Sequence, residues 1–209
     1  FDHKWSTSYK KEITDSRIKA TEVLIEAASA YQAIKTWVCA SAIGIYGNSM
    51  NAAPQFETSS LGSDFLAEVT KKWEAATSKV NKTNARLVQI RIGIVLAKEG
   101  GALPSMITPI NYFIGSPLAS GKQIISWIHI EDLCSILTKG LEDETMLGVY
   151  NAVSPNPVSN ETFTKIAGSI MNKPLFMPHV PKFVLETILG KERAASVVEG
   201  ISVSSQKIE

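Results

Sequence analysis

Residues 86–96, Arg86-Leu87-Val88-Gln89-Ile90-Arg91-Ile92-Gly93-Ile94-Val95-Leu96, are the clearest β signal in the chain. The run is apolar without regular alternation, and Gly100-Gly101 breaks it. A strand of this kind is covered on both faces, which is the condition of a parallel sheet in an α/β protein. Other short apolar segments read as strands: Thr36–Ser41, 124–129, Gly148–Ala152 and the pair Leu175-Phe176. Between them lie stretches of helical period. Residues 5–30 carry Ile13, Ala20, Val23, Leu24, Ala27 and Ala28 at near-helical spacing. Ser63-Asp64 offers a helix start ahead of Phe65, Leu66, Val69, Trp73 and Ala76. Further helices are expected near 102–114, from Glu131 to Leu141, from Thr162 to Met171, and from Lys182 to Glu199 with a break at Gly190. The polar stretch with Gly44, Gly47, Asn48, Asn51 and Pro54 reads as a loop.

Strands alternating with helices predict an α/β fold, a parallel sheet with helices on both faces. From about residue 155 the elements become smaller and helical. The expected division is therefore 1–154 for the sheet domain and 155–209 for a small lobe packed over the carboxyl ends of the strands. A length of 209 residues suits one large domain, or one domain with such a lobe. With 44% hydrophobic and 20% charged residues, the composition excludes a disordered tail, a collagen-like fibre and a coiled-coil rod.

Net charge is +1, and the densest basic runs, Lys10-Lys11 and Lys71-Lys72, each have a Glu within two residues. That pattern argues against nucleic acid as a partner, because a duplex binder needs a Lys/Arg-rich face to displace counterions. The apolar runs are too short to span a bilayer. Cys39 and Cys134 fall in no metal-ligand or CxxC spacing and read as buried thiols of a reducing compartment, so an intracellular place, cytoplasmic or mitochondrial, is expected while the localisation itself stays unknown. The sequons Asn81-Lys82-Thr83 and Asn160-Glu161-Thr162 matter only in a secreted protein. The sequence begins at Phe1 with no signal segment, so it reads as a piece of a longer polypeptide.

No GxGxxG is present, and the segment Gly115 to Gly121-Lys122-Gln123 departs from a P-loop in spacing and in its last residue. His3, His129 and His179 share no ligand spacing, so no metal is expected. His129, in Ser126-Trp127-Ile128-His129, reads first as a satisfied core histidine at a strand end that holds a loop through a ring hydrogen bond.

Several segments in fixed order carry a resemblance: Lys11-Glu12-Ile13-Thr14-Asp15-Ser16-Arg17; Ser41-Ala42-Ile43-Gly44-Ile45-Tyr46-Gly47; Trp73-Glu74-Ala75-Ala76; Arg91 to Leu96; Gly100-Gly101-Ala102-Leu103; Ser126 to His129; Asn151 with Pro155 and Pro157; and Gly190 to Ala194. Together they resemble the atypical epimerase-like branch of the short-chain dehydrogenase/reductase superfamily over nearly the whole chain. The resemblance implies a Rossmann-type fold that binds NADP, with NAD left open. It also implies a first half, with the Gly-rich turn that holds the pyrophosphate, of roughly 60–70 residues ahead of Phe1.

Active members of that superfamily use a Ser or Thr with a Tyr-x-x-x-Lys pair to move a proton at the substrate hydroxyl. Carried onto this sequence, the Ser/Thr place is Ala42, the tyrosine place is Leu66 and the lysine place is Thr70, with Lys71 and Lys72 nearby. The literal Tyr31-x-x-x-Lys35 precedes the Ser41 strand and stands in the wrong order. Tyr46 matches a structural position, and the catalytic set stays unknown. The cofactor candidates implied are Glu12 for a ribose hydroxyl, Arg17 for a phosphate, Ser41 at the end of its strand, and Ile94 and Val95 beside the nicotinamide. The expected function is an NADP(H)-binding oxidoreductase or epimerase-like protein with an unknown small-molecule substrate. The alternative is an inactive cofactor-sensing or scaffold protein that acts through protein partners. A homodimer or another protein partner is left open.

Overall fold

The computed structural model describes residues 5–29, 34–47, 53–82 and 84–209. His3, Tyr31 and Thr83 of the first sequon lie outside the described residues. In chain order the elements are α1 (Thr7–Ser29), β1 (Thr36–Ala42), a 3-10 turn (Ile43–Tyr46), α2 (Phe65–Thr77), a second 3-10 turn (Ser78–Lys82), β2 (Arg86–Ile92), β3 (Ile94–Ala97), β4 (Gly100–Gly101) and α3 (Ala102–Asn111). There follow β5 (Ile124–Ile125), β6 (Trp127–His129), α4 (Ile130–Glu142), β7 (Gly148–Ala152), β8 (Val158–Ser159), α5 (Asn160–Ile170), α6 (Lys182–Leu189) and α7 (Lys191–Val198).

The main sheet is parallel in the order β1-β2-β7. Side chains alternate across β2, so Val88 and Ile90 face one way and Leu87, Gln89 and Arg91 the other. The first face carries the largest core cluster, in which Val88, Ile90, Tyr150 and Ala152 meet Leu133 of α4, Ile128 and Met146. Gly140 lets α4 lie close: a Cβ there would stand 3.3 Å from Val38. On the second face, Leu87 packs with Ile25 of α1, Val80, Trp37 and Cys39. Helices therefore cover both faces, as the apolar strands predict.

The run 86–96 is not one strand. It divides at Gly93, whose N–H donates to Ala152 O at 3.0 Å, while Ile94 N–H donates to Ser126 O at 2.9 Å. From there β3 leaves the main sheet and pairs with β6 and β4. A Cβ at Gly93 would lie 2.6 Å from Ser126 O, so glycine alone permits that approach. The expected strand 124–129 divides in the same way at Ser126, whose hydroxyl donates to Ile201 O at 2.7 Å and accepts from Val203 N–H at 3.0 Å. Helix α5 begins earlier than its apolar residues suggest, because Ser159 accepts from Thr162 N–H and caps it. Leu175-Phe176 forms no strand. Pro174 and Pro178 flank it, each lacking the N–H a ladder needs, and Phe176 stands exposed.

The chain beyond α7 returns to the main sheet. Gln55 N–H donates to Ser202 O at 2.8 Å and Ser204 N–H donates to Gln55 O at 2.9 Å. Ile208 packs against the main core. The outer edge of β7 is covered by side chains: Asn151 N–H donates to a Glu57 carboxylate oxygen at 2.8 Å, and Lys207 donates to Val149 O at 2.5 Å. No described helix is long and apolar enough to cross a membrane.

Candidate active site

In register, Ser41, Arg91 and Asn151 form one row across the carboxyl ends of β1, β2 and β7. An arginine inside an apolar strand must be paired, because a buried charge without a partner is costly. Arg91 is 4% exposed and Glu74 of α2 meets it with two oxygens, Nε–Oε1 and Nη2–Oε2 both at 2.9 Å. Such a two-pronged pair fixes direction as well as charge. The Ser41 hydroxyl donates to Glu74 Oε1 at 2.5 Å. Arg91 Nη1 donates to the Tyr46 hydroxyl at 2.9 Å, which in turn donates to Asn151 Oδ1 at 2.7 Å. Asn151 Nδ2 donates to Ser204 O at 3.2 Å.

Burial alone would lower the Arg91 pKa, but the hydrogen bonds with Glu74 and Tyr46 outweigh it and hold the guanidinium above its ordinary value. Burial raises the Tyr46 phenol, with Arg91 working against it. Tyr46 is therefore protonated at neutral pH and tied on both sides. The network joins three strands, one helix and the chain return. Its groups serve one another.

Beyond this row the chain turns through Ile43–Tyr46, and a crevice opens at the carboxyl ends of the strands, where open α/β sheets bind their ligands. Its cavity is about 640 Å³. Ile43, Leu66, Ile94, Met106, Ile110 and Phe163 are among its walls. Leu66, at the expected tyrosine place, thus presents a hydrocarbon side chain to the cavity. Thr70, at the expected lysine place, is buried and donates to Leu66 O at 2.8 Å. Lys71 pairs with Glu68, and Lys72 is exposed on α2.

The five candidate residues are distributed between the polar row, α1 and the crevice. Ser41 is buried with its hydroxyl given to Glu74. Arg17 is half-buried on α1, donates to Ile13 O at 3.0 Å and lies 5.6 Å from the centre of the Trp73 ring. Ser41 and Arg17 thus touch neighbouring residues of α2. Glu12 is exposed on α1. Ile94 is 37% exposed and lines the cavity, whereas Val95 packs against the main core.

His129, expected in the core, instead ends β6 on the surface, because it stands at the amino end of α4, where Nδ1 accepts from Glu131 N–H at 3.3 Å and caps the helix. Cys39 is half-buried and burial pushes its thiol up to about 11. Cys134, expected to be buried, is exposed on α4. That correction follows from the helix: Leu133 takes the inward position, and its neighbour faces out. Among the described residues no group of three His, Cys, Asp or Glu could hold a metal ion.

Sequence reasoning missed the roles of Glu74 and Glu57, and missed Gln123 as a cavity residue. Arg91 carried the available signal. A lone charge in a buried strand demands a carboxylate from another element, and Glu74 lies in the helix that precedes that strand.

A parallel sheet wound with helices on both faces and open at its carboxyl ends defines a Rossmann-type α/β protein. No family model matches the chain. It is 34% identical over 205 residues to the human epimerase family protein SDR39U1, covering 98% of this chain and 69% of that protein. It is 41% identical over 203 residues to the chloroplastic SDR39U1 homolog of Arabidopsis thaliana, covering 96% of this chain and 57% of that protein. The crystal structure of human SDR39U1 (isoform 2) with NADPH matches at a TM-score of 0.90 and 33% identity, over 98% of this chain and 69% of that one. A nucleoside-diphosphate sugar epimerase from Corynebacterium glutamicum matches at 0.79 and 31% identity, over all of this chain and 40% of that one. The chain belongs to the epimerase family, in the short-chain dehydrogenase/reductase class, that the SDR39U1 proteins represent. It spans between 57% and 69% of the length of the human and Arabidopsis relatives.

Proposed function

We propose that the chain forms the nicotinamide side of an NADP(H)-binding oxidoreductase or epimerase-like protein that acts on a small molecule. One observation carries the reading. The crevice lies at the carboxyl ends of β1 and β2, on a fold matching a relative crystallised with NADPH at 0.90 over 98% of the chain. The residues fit the ring end of such a cofactor. Gly44 offers backbone without a side chain, with space up to Leu66 at 3.8 Å from where its Cβ would stand. Ile43 and Ile94 supply apolar walls for the reduced, uncharged nicotinamide ring. When bound, the cofactor supplies hydride transfer at the nicotinamide.

In this proposal Ile94 and the Val95 backbone flank the nicotinamide, Arg17 holds a phosphate, and Glu12 accepts a ribose hydroxyl. Ser41 steadies the end of β1 through Glu74. Residues 1–154 carry the cofactor side, and 155–209 close the substrate side. The proton relay differs from the usual pair, because Leu66 and Thr70 stand where tyrosine and lysine would act.

That same departure favours a second reading: the fold keeps the cofactor and has lost the reaction, acting through a protein partner instead. Titration of NADPH and NADH against the full-length protein, followed by nicotinamide fluorescence, tests the first point. Saturable binding with NADPH preferred is expected, and binding of neither overturns the reading. Cofactor oxidation with a panel of ketones separates the two functions. Turnover removes the inactive reading, and tight binding without turnover on any of them favours it.

A further inference from the structure

One wall of the crevice is a pair of helices anchored at its base and tied across at its tip. Helices α6 and α7 meet at Gly190, which closes the first and opens the second at φ 83°. A Cβ there would meet nothing within 4 Å, so the corner stands in open space and only its backbone conformation asks for glycine. The two helices pack together through Leu185, Ala194 and Val198, while Leu189, Ser196 and Val197 line the cavity. Ahead of α6, Ala119 N–H donates to Val180 O at 2.8 Å. After α7, Gly200 lies so close to Ile124 that a Cβ would stand 2.3 Å from its backbone, and the Ser126 hydroxyl accepts from Val203 N–H at 3.0 Å.

At the tip, Glu192 pairs with Lys10 of α1. Glu192 and Ser196 are four residues apart and share one side of α7, the side that faces the crevice. Lys10 is held from behind. Its ammonium lies 4.9 Å from the centre of the Phe65 ring, and Phe65 meets Trp5 edge to face at 5.4 Å. Phe65 adjoins Leu66, which lines the cavity from α2. The ion pair thus joins the α7 wall to the α2 wall.

Its strength suits a catch better than a strut. Arg91 and Glu74 are buried and two-pronged, and they fix their elements permanently. The Lys10 and Glu192 side chains are 25% and 56% exposed. A pair so exposed shifts an open-to-closed ratio by about fivefold at most, and salt weakens it further.

We propose that α6 and α7 form a flap over the crevice, with Gly190 as its corner and the Lys10–Glu192 pair as the catch that biases it closed. Release of the pair opens the way to the walls at Leu66 and Val197. That the molecule so admitted is a substrate rests on the cofactor reading above, whereas the flap does not.

The test places a reporter under the flap of the full-length protein. Ser196→Cys nearly keeps the shape of the side chain. Its labelling by N-ethylmaleimide is read by peptide mass spectrometry, which separates it from Cys39 and Cys134. Lys10 is the partner to alter, because Glu192 also lies in the first turn of α7 and favours that helix on its own. Lys10→Gln should raise the labelling rate at position 196 about threefold, and Lys10→Arg should leave it near the parent rate. About 1 M salt should bring the parent rate close to that of Lys10→Gln and change Lys10→Gln little. The midpoint of chemical denaturation should stay nearly constant in both variants.

Labelling that responds neither to Lys10→Gln nor to salt overturns the proposal. A midpoint that falls in step with faster labelling also overturns it, since the pair would then be a strut of the fold. Equal acceleration by Lys10→Arg and Lys10→Gln does the same, because charge would not be the catch. NADPH titrated in parallel separates the two levels. A catch that holds in a protein that binds no NADPH leaves the flap and removes the cofactor reading. NADPH binding with labelling indifferent to Lys10 and salt does the reverse.

Discussion

Ser41, Arg91 and Asn151 reach from three strands into a chain of buried hydrogen bonds, whereas a few residues farther on the chain lines its crevice with Ile43, Leu66 and Ile94. The polar row has the residue types of a catalytic centre: a serine, a tyrosine, a glutamate and an arginine. Yet each donor in it has an acceptor inside the protein, and none is directed at the cavity. The crevice has the position of a catalytic centre and almost none of the groups. Chemical character and location are separated here, and the alternation of side chains along a strand is the cause. Ser41 falls on the side that faces α2, and Ala42 falls on the other.

The largest expected effect tests whether the polar row is structural. Glu74→Ala leaves the buried Arg91 guanidinium unpaired and should cost about 3–5 kcal/mol, measured by chemical denaturation. A loss under about 1 kcal/mol would mean that water reaches the arginine and the row is open. Next comes the joint between the regions. Gly93→Ala pushes a methyl group against Ser126 O and should cost about 2–3 kcal/mol. Retained stability would show that β3 can shift away from the main sheet.

Tyr46→Phe removes one hydroxyl from the row. It should cost about 1–2 kcal/mol of stability and leave NADPH affinity unchanged. A drop in affinity with unchanged stability would move Tyr46 from the row into the site. Arg17→Ala tests the opposite assignment: NADPH affinity should fall about tenfold, as for one lost charge-assisted contact. Affinity that does not change removes Arg17 from the cofactor. The smallest effect concerns Cys39, which shares its strand face with Ser41. With a pKa of about 11 it holds only about a thousandth of its thiol as thiolate at pH 8. Of these two cysteines, iodoacetamide should therefore label only the exposed Cys134 in the native protein and both after denaturation, read by peptide mass spectrometry. Rapid labelling of both in the native state would show that this face opens.

The parallel sheet, most of the helices and the family were legible because they rest on local periodicity and on the order of short segments. Leu87 to Ile92 announce a covered strand wherever they occur. The bend at Gly93 was not legible, since it depends on the approach of Ser126, which only the folded chain brings near. Leu175-Phe176 failed for a related reason: apolar character predicts a strand only where a partner edge exists. The polar row was half legible. Arg91 within an apolar run required a partner, but nothing in the spacing chose Glu74. That Leu66 and Thr70 take the tyrosine and lysine places is implied by the resemblance alone. The structure adds that Leu66 lines the cavity and that Thr70 is turned back onto its own helix.

The hydrogen bonds that join Gln55 to Ser202 and Ser204 have a consequence in time. They link residues that leave the ribosome about 7–30 s apart at ordinary rates of synthesis. Asn151, at the outer strand, also waits for Ser204 before its amide is satisfied. Strands β1, β2 and β7 are all synthesised before Ser202 and Ser204, so these polar contacts close only when residues 202–204 have emerged. Until then the buried end of that row is exposed to water, and the nascent chain holds an unfinished core that chaperones and proteases can reach.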